Sequence, residues 1–220
     1  LVGSEMCIRD RNNSMGFKVF SEVNEIKGFL DPLEGEALYE YASKFVCNKP
    51  ALEIGSYCGK SSVYIGTAIK KNNQKLYSVD HHKGSEEQQP GEEYFDSDLL
   101  SDDGNCIDTL PHFLKTIRDF KLEGFVIPVI STSEEANEDF NQDFDMVFID
   151  GGHAEETAQQ DFEMWSKKLD SGGILAIHDV YPNPEDGGRP PFNIYKKALK
   201  GGSFKELDSI KSLRILQKVD

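Results

Sequence analysis

The sequence lacks several features that would place it in a membrane, a secreted or a nucleic-acid-binding class. It contains no apolar run of the roughly 18 to 20 residues that span a bilayer. Its four cysteines form no CxxC pair and show no metal-ligand spacing with the histidines, which predicts a reducing, cytoplasmic setting. Basic residues are scarce, with 24 Lys and Arg against 39 Asp and Glu and a net charge of −15. We therefore expect neither nucleic acid nor a membrane surface as a partner.

The length of 220 residues fits a single domain. The opening stretch LVGSEMCIRDR has no periodicity and resembles the translation of a sequencing-library adapter. We therefore expect residues 1–14 to be a non-native or disordered leader, with Met15 as the native start, and residues 15–220 to form one domain. The sequence leaves homo-oligomer formation open.

Short apolar runs alternate with helix-like segments along the chain. ALEIG, KLYSVD, FVIPVI, DMVFID and GILAIHD are short, mostly apolar runs without a clean alternation of polar and apolar residues, as in strands that helices cover on both faces. Between the last two, Ala158, Phe162, Trp165 and Leu169 form one helical apolar stripe. The alternation predicts an α/β protein with a Rossmann-like, doubly wound sheet in three α/β/α layers. Pro128 places its strand at the sheet edge, and residues 204–218 predict a terminal hairpin.

The stretch LEIGSYCGKSS permits three interpretations, which differ in spacing. A P-loop needs four residues between its glycine and the Gly-Lys-Ser, but Gly55 and Gly59 enclose only three. A dinucleotide fingerprint needs a glycine where Tyr57 stands. The third interpretation is E-x-G-x-x-x-G, a turn for a nucleoside cofactor without a pyrophosphate. In it, Glu53 could receive a cationic amine.

Asp80 ends the second strand and is a candidate ribose-binding acid. It lies 25 residues after Gly55, near the roughly 20 that such an acid shows in dinucleotide-binding folds. The alternative is that the turn is an ordinary tight turn and that Asp80 caps a helix. His81 follows directly and lies either near the ribose or in a solvated loop.

Two loops are candidate walls of a ligand site. Residues 81–108 contain nine acids and a single base. Residues 181–191 contain four prolines and two glycines directly after a strand. In an open parallel sheet, ligands bind beyond the carboxyl ends of the strands, where both loops begin.

Two acids and two histidines follow the fourth and fifth strands. Asp150 and Asp179 end neighbouring strands, with His153 and His178 beside them. Asp150, His178 and Asp179 could bind a metal, and the two acids suit Mg²⁺. In metal-free chemistry, His153 is the candidate general base and Asp150 a further catalytic residue. Alternatively, His153 only stacks on a cofactor or hydrogen-bonds to Asp150.

Four segments together resemble class I S-adenosylmethionine-dependent methyltransferases, in a bacterial branch with an Asp-Gly-x-His motif. They are ALEIGSYCGKSSVYIG, LYSVDHH, FIDGGHAEETAQQDFEMWSKKLDSGGILAIHDV and GGRPPFNIYKKAL. The resemblance implies a seven-stranded sheet of order 3-2-1-4-5-7-6 with strand 7 antiparallel. It also implies that Glu53, Gly55 and Gly59 bound the methionine part of S-adenosylmethionine and that Asp80 binds its ribose. His178 stands where metal-binding members more often have an acid.

The predicted function is methyl transfer from S-adenosylmethionine to a small molecule, most simply at an oxygen. Alternatives on the same fold are an NAD-linked oxidoreductase and a non-catalytic nucleoside-binding protein. Ser133 is either an adenine contact or a helix cap. The predicted cofactor contacts are Glu53, Gly55, Ser56, Tyr57, Gly59, Ser61, Asp80, His81, Ser133 and Asp150.

Overall fold

The computed structural model describes residues 22–92, 94–101, 104–152 and 154–219. The predicted leader, residues 1–14, and the candidate base His153 lie outside these residues. Among the described residues, none of the helices has the length and apolar character that a membrane crossing requires.

The described strands form one seven-stranded sheet of order β3-β2-β1-β4-β5-β7-β6, as predicted. Strands β1 to β5 are parallel, and β7 is antiparallel to both β5 and β6. Pro128 lies in β3, an edge strand, where its missing N–H leaves no gap in the sheet. The strands are β1 (Ala51–Ile54), β2 (Leu76–Val79), β3 (Val126–Val129), β4 (Phe144–Ile149), β5 (Leu169–Ile177), β6 (Phe204–Ile210) and β7 (Leu213–Lys218).

Helices cover both faces of the sheet and complete the predicted three layers. They are α1 (Pro32–Phe45), α2 (Lys60–Lys70), α3 (Leu110–Asp119), α4 (Ser133–Asp139), α5 (Glu155–Trp165) and α6 (Pro190–Lys200). One apolar core includes Leu38 of α1, Ile65 of α2 and Phe113 of α3. The other includes Trp165 of α5 and Ile194 of α6. All residues of β1 and β4 are buried, which explains why these strands are mostly apolar and show no alternation of polar and apolar residues.

Residues 81–108 form an insertion between β2 and α3. Its described residues contain two short 3₁₀ turns and a bridge between Leu100 and Ile107. Lys27, which precedes α1, forms ion pairs with Asp96 and Asp98 of this insertion. The segment before α1 and the acidic insertion therefore lie side by side over the carboxyl edge of the sheet.

Candidate functional site

The glycine turn follows β1 and lies against the end of β4. Gly55 has φ +82°, and a Cβ atom there would be 2.1 Å from the carbonyl oxygen of Asp150. Gly59 has φ +89° and precedes α2. Only glycine permits both this backbone conformation and so close an approach at position 55. The turn and Asp150 therefore share the same crevice.

Asp80 fixes the shape of this turn. One of its carboxylate oxygens accepts the backbone N–H groups of Ser56 and Tyr57, both at 2.9 Å. Its other oxygen accepts the N–H of His82 at 2.7 Å. The acid is half-buried beside the turn, at the strand end where the sequence placed the ribose contact.

Glu53 lies beneath the turn, enclosed within the protein. Its side chain is fully buried and accepts hydroxyl hydrogen bonds from Ser61, Ser62 and Ser78 at 2.5, 2.5 and 2.8 Å. Burial raises the pKa of Glu53 to about 7, although the three hydroxyls oppose that shift. Glu53 ties β1 to β2 and α2, because its strand is covered on both faces, and this buried position weighs against the predicted contact with a cofactor amine. Ser61, another predicted cofactor contact, is buried, and its hydroxyl donates to Glu53.

The turn also contains a polar atom without a partner. Ser56 is 2% exposed, and its hydroxyl oxygen has no hydrogen-bond partner among the described residues. A buried hydroxyl without a partner costs stability unless a ligand or water satisfies it. Ser56 is one of the predicted cofactor contacts, and the structure leaves its hydroxyl available for that role.

The two histidines after Asp80 differ in burial. His81, the predicted contact, is exposed, and its ring accepts the N–H of Lys83 at 3.0 Å. His82 is 2% exposed, with Nδ1 2.8 Å from the hydroxyl of Thr109. Burial lowers the pKa of His82. The exposure of His81 agrees with the solvated-loop alternative, whereas the next residue, His82, is buried among protein contacts.

Ser133 joins α4 to α5. Its hydroxyl donates to Asp161 and accepts the indole N–H of Trp165 at 2.8 Å. Thr132, not Ser133, is the N-cap of α4, in a capping box with Glu135. The helix-cap interpretation of Ser133 is thus wrong by one residue: the cap is Thr132, and Ser133 is the first residue of the helix. Its hydroxyl is already engaged within the protein, which weighs against the predicted adenine contact.

Asp150, His178 and Asp179 meet at the ends of β4 and β5, as predicted. His178 Nδ1 is 2.9 Å from Asp150 Oδ1 and 3.5 Å from Asp179 Oδ1. One potential ligand atom from each of the three residues lies within 4.8 Å of the others. Asp179 has φ +55°, a left-handed conformation that costs a non-glycine residue energy.

A fourth member of this cluster, Glu34, comes from α1. Its Oε2 atom is 3.0 Å from His178 Nε2, and both side chains are almost fully buried. Burial alone would lower the pKa of His178, but Asp150, Asp179 and Glu34 together raise it well above its usual value. Burial likewise opposes ionisation of Glu34, yet His178 and its other donors hold the pKa of Glu34 below its usual value. The sequence pattern did not single out Glu34, although DPLE is a capping-box signature.

Three aromatic rings gather at the mouth of the crevice. The ring centroid of Phe29 is 6.0 Å from that of Tyr57 and 5.5 Å from that of Tyr94. Phe29 and Tyr94 are 63% and 44% exposed. The predicted wall 81–108 therefore contributes Tyr94, and the segment before α1 contributes a second wall that the sequence pattern did not indicate.

The loop 181–191 borders the opposite side. The Tyr181 hydroxyl donates to Asp179 Oδ1 at 3.2 Å. A concave space here is lined by Asp150, His178, Ala158, Pro191 and Ile194 among others. Asp150, His178 and the end of this loop therefore border one concave space, as expected for a ligand site beyond the strand ends.

A mostly parallel sheet of this order, with an antiparallel β7, a glycine turn after β1 and acids after β2, β4 and β5, defines a Rossmann-like fold. A family model described as a methyltransferase domain matches residues 52–180. The chain belongs to this methyltransferase family. The predicted enzyme class, a methyltransferase, is confirmed.

Solved structures with the same fold include methyltransferases of several bacteria. The O-methyltransferase TomG of Streptomyces achromogenes, in complex with SAM, is 12% identical, with a TM-score of 0.62 over 99% of this chain and 93% of that chain. An O-methyltransferase of Bacillus cereus, in complex with SAH, is 14% identical, with a TM-score of 0.61 over 98% and 94%. An rRNA methylase of Streptococcus thermophilus is 13% identical, with a TM-score of 0.54 over 88% and 100%. At these identities, the likeness shows the fold alone.

Proposed function

We propose that this methyltransferase transfers a methyl group from S-adenosylmethionine to an oxygen atom of a small-molecule acceptor. The observation that carries the proposal is the Gly55–Gly59 turn, which lies against Asp150 and contains the buried Ser56 hydroxyl, for which the described part of the chain offers no hydrogen-bond partner. Such a turn presents backbone N–H groups and a hydroxyl to a polar ligand at a helix N-terminus. Similar folds that bind SAM or SAH and are named O-methyltransferases support this choice of cofactor and acceptor atom.

The cofactor contacts that we propose are Gly55, Ser56, Tyr57, Gly59 and Asp80. The turn would hold the amino-acid part of S-adenosylmethionine. Asp80 already accepts three N–H groups, and a carboxylate has about four lone-pair sites, so it retains capacity for a ribose hydroxyl.

The reaction needs alignment more than covalent chemistry, because the sulfonium carbon is already electrophilic. A bond forms between the acceptor oxygen and the methyl carbon, the sulfur–methyl bond breaks, and the acceptor hydroxyl loses its proton. We propose that Asp150, part-exposed at the crevice, orients the acceptor, and that His153 accepts the proton.

The residues Asp150, His178 and Asp179 fit a divalent cation, but not Mg²⁺ best. They supply two carboxylates and one imidazole, and imidazole suits transition metals, whereas Mg²⁺ prefers oxygen ligands. Glu34 on the second ring nitrogen of His178 is the arrangement that metal-bound histidines commonly show. Bound there, a cation would lower the pKa of an acceptor hydroxyl. Without one, the same contacts form an ion-pair cluster.

The acceptor that we propose is a small molecule with an apolar portion. Phe29 and Tyr94 expose aromatic surface at the mouth, and exposed apolar patches commonly mark binding sites. One fold neighbour is named an rRNA methylase, so RNA is the second candidate. The net charge of −15 opposes binding of a polyanion.

Two experiments test the proposal. Calorimetric titration should show saturable binding of S-adenosylhomocysteine and no binding of NAD, and the reverse result would favour an oxidoreductase. Incubation with radiolabelled S-adenosylmethionine, a panel of hydroxylated small molecules and a structured RNA should label a small molecule at oxygen. Labelling of RNA alone, or tight cofactor binding without any transfer, would contradict the acceptor that we propose.

A further inference from the structure

The carboxylate of Glu34 accepts more hydrogen bonds than its role in the capping box of α1 needs, since the capping box uses only the N–H of Asp31. Oε1 accepts the N–H and hydroxyl of Ser212, both at 2.8 Å, and the N–H of Leu213 at 3.1 Å. Oε2 accepts the N–H of Asp31 at 3.1 Å and faces His178 Nε2 at 3.0 Å. The carboxylate is therefore fixed by backbone groups of α1 and of the β6–β7 turn.

Glu34 in turn fixes the imidazole ring of His178. The ring has Glu34 on Nε2 at 3.0 Å and Asp150 on Nδ1 at 2.9 Å. A rotation of the ring would break both hydrogen bonds at once. The exposed fraction of the side chain rises along this chain of contacts, from 2% for Glu34 and 4% for His178 to 26% for Asp150. The chain thus runs from a buried anchor to the wall of the crevice.

We propose that Glu34 is a positioning residue for methyl transfer, which holds the His178 ring and through it the carboxylate of Asp150. The inference rests on the proposed function, since it assigns Asp150 to the acceptor site. Glu34 precedes residues 52–180, the part of the chain that the family model matches. Its role therefore comes from a helix outside that match, and it holds whether or not a cation binds.

The first test is kinetic, with the variant Glu34→Gln. Three groups donate to Oε1, but only the N–H of Asp31 donates to Oε2 besides the contact with His178, so the amide NH₂ of the variant should take the Oε2 position and His178 Nε2 should lose its acceptor. We expect kcat to fall about 10- to 100-fold, the loss typical when the hydrogen-bond partner of a metal-ligating histidine is removed. The affinity for S-adenosylhomocysteine should be unchanged, because the glycine turn and Asp80 are untouched.

Asp145 supplies a matched control. It is also a buried acid, 8% exposed, and its Oδ2 accepts the N–H groups of Cys47, Asn48 and Lys49 at 3.0, 2.8 and 2.8 Å. It lies at the amino end of β4, opposite the crevice. Asp145→Asn should lower the melting temperature, as Glu34→Gln does, but leave kcat unchanged. Equal losses of kcat in the two variants would overturn the inference, because they would reflect stability alone.

The second test does not depend on turnover. Ring ¹⁵N signals of histidine-labelled protein, with His178 assigned by His178→Asn, should shift in Glu34→Gln and stay in place in Asp145→Asn. Unchanged His178 signals in Glu34→Gln would refute the positioning role, even if the wild-type protein transferred no methyl group and the proposed function failed. If Glu34→Gln does not fold, Glu34→Asp, which keeps the charge but is one methylene shorter, should shift the same signals.

Discussion

Replacement of Glu53 by glutamine should change how the stability of this protein depends on pH. Glu53 is fully buried and is held by three serine hydroxyls, and no cationic side chain within the described ranges is among its hydrogen-bond partners. Burial raises its pKa from 4.5 to about 7, so the folded protein favours the neutral acid. The stabilising contribution is therefore complete below pH 4.5, and it is lost as the pH rises through about 7. Glu53→Gln keeps the shape and has no charge to bury.

The expected magnitude follows from the two pKa values. At about 1.4 kcal/mol per pH unit, the free energy of unfolding of the wild type should fall by about 2 to 3 kcal/mol between pH 5 and pH 8 through this group. The variant should not show this loss. For a chain of this size, 1 kcal/mol shifts the melting temperature by about 2 to 4 °C. Between pH 5 and pH 8, the melting temperature of the wild type should therefore fall by about 5 to 10 °C relative to that of Glu53→Gln.

Thermal unfolding followed by circular dichroism at pH 5 and pH 8 measures this difference. Other titrating groups, such as His178 and Asp161, are present in both proteins and cancel in the comparison. Glu36→Gln is a matched control for the exchange of a glutamate for a glutamine, because Glu36 is exposed on α1. A difference between wild type and Glu53→Gln that stays constant with pH would refute the argument that this carboxyl is neutral in the folded protein.

Three further predictions concern the crevice. Asp80→Ala removes the acceptor of three backbone N–H groups. Calorimetry should show that S-adenosylhomocysteine binds about 10- to 100-fold more weakly, because hydrogen bonds to a charged group contribute about 1.5 to 3 kcal/mol. Unchanged affinity would remove Asp80 from the site. Gly55→Ala places a methyl group 2.1 Å from the Asp150 carbonyl oxygen, at a position whose backbone is left-handed. Urea unfolding should show that the free energy of unfolding falls by about 1 to 3 kcal/mol or more. Full stability of the variant would contradict this close approach. Mn²⁺ should bind more tightly than Mg²⁺ in calorimetric titrations, because His178 contributes an imidazole. Asp179→Asn should weaken the binding of Mn²⁺. Tighter binding of Mg²⁺ than of Mn²⁺ would contradict the argument from the ligand set.

The fold could be predicted because its signals are local. Short, mostly apolar runs indicated strands covered on both faces, and the stripe through Phe162 and Trp165 indicated a helix on the sheet. Pro128 indicated the edge strand without any knowledge of its neighbour. The strand order came from the family resemblance, and the observed order agrees with it.

The site could be predicted only in part. Strand-end acids point to one crevice in any parallel sheet, so Asp80, Asp150 and Asp179 were identified from position alone. Glu53 and Ser133 were placed near the cofactor by motif, but their side chains are engaged inside the protein. The direction of a side chain depends on residues that are close in space but distant in the chain. A local sequence motif does not include those residues.

By itself, the sequence determined the layered sheet, the glycine turn and the acids at the strand ends, because backbone conformation and hydrophobic periodicity depend on residues a few positions apart. Only the tertiary structure decided which polar groups meet. Glu34 and His178 are 144 residues apart in the chain, yet their side chains are 3.0 Å apart. A buried charge is stable only where packing brings its partners to it, and that pairing is settled when α1 and β5 come together in the folded protein.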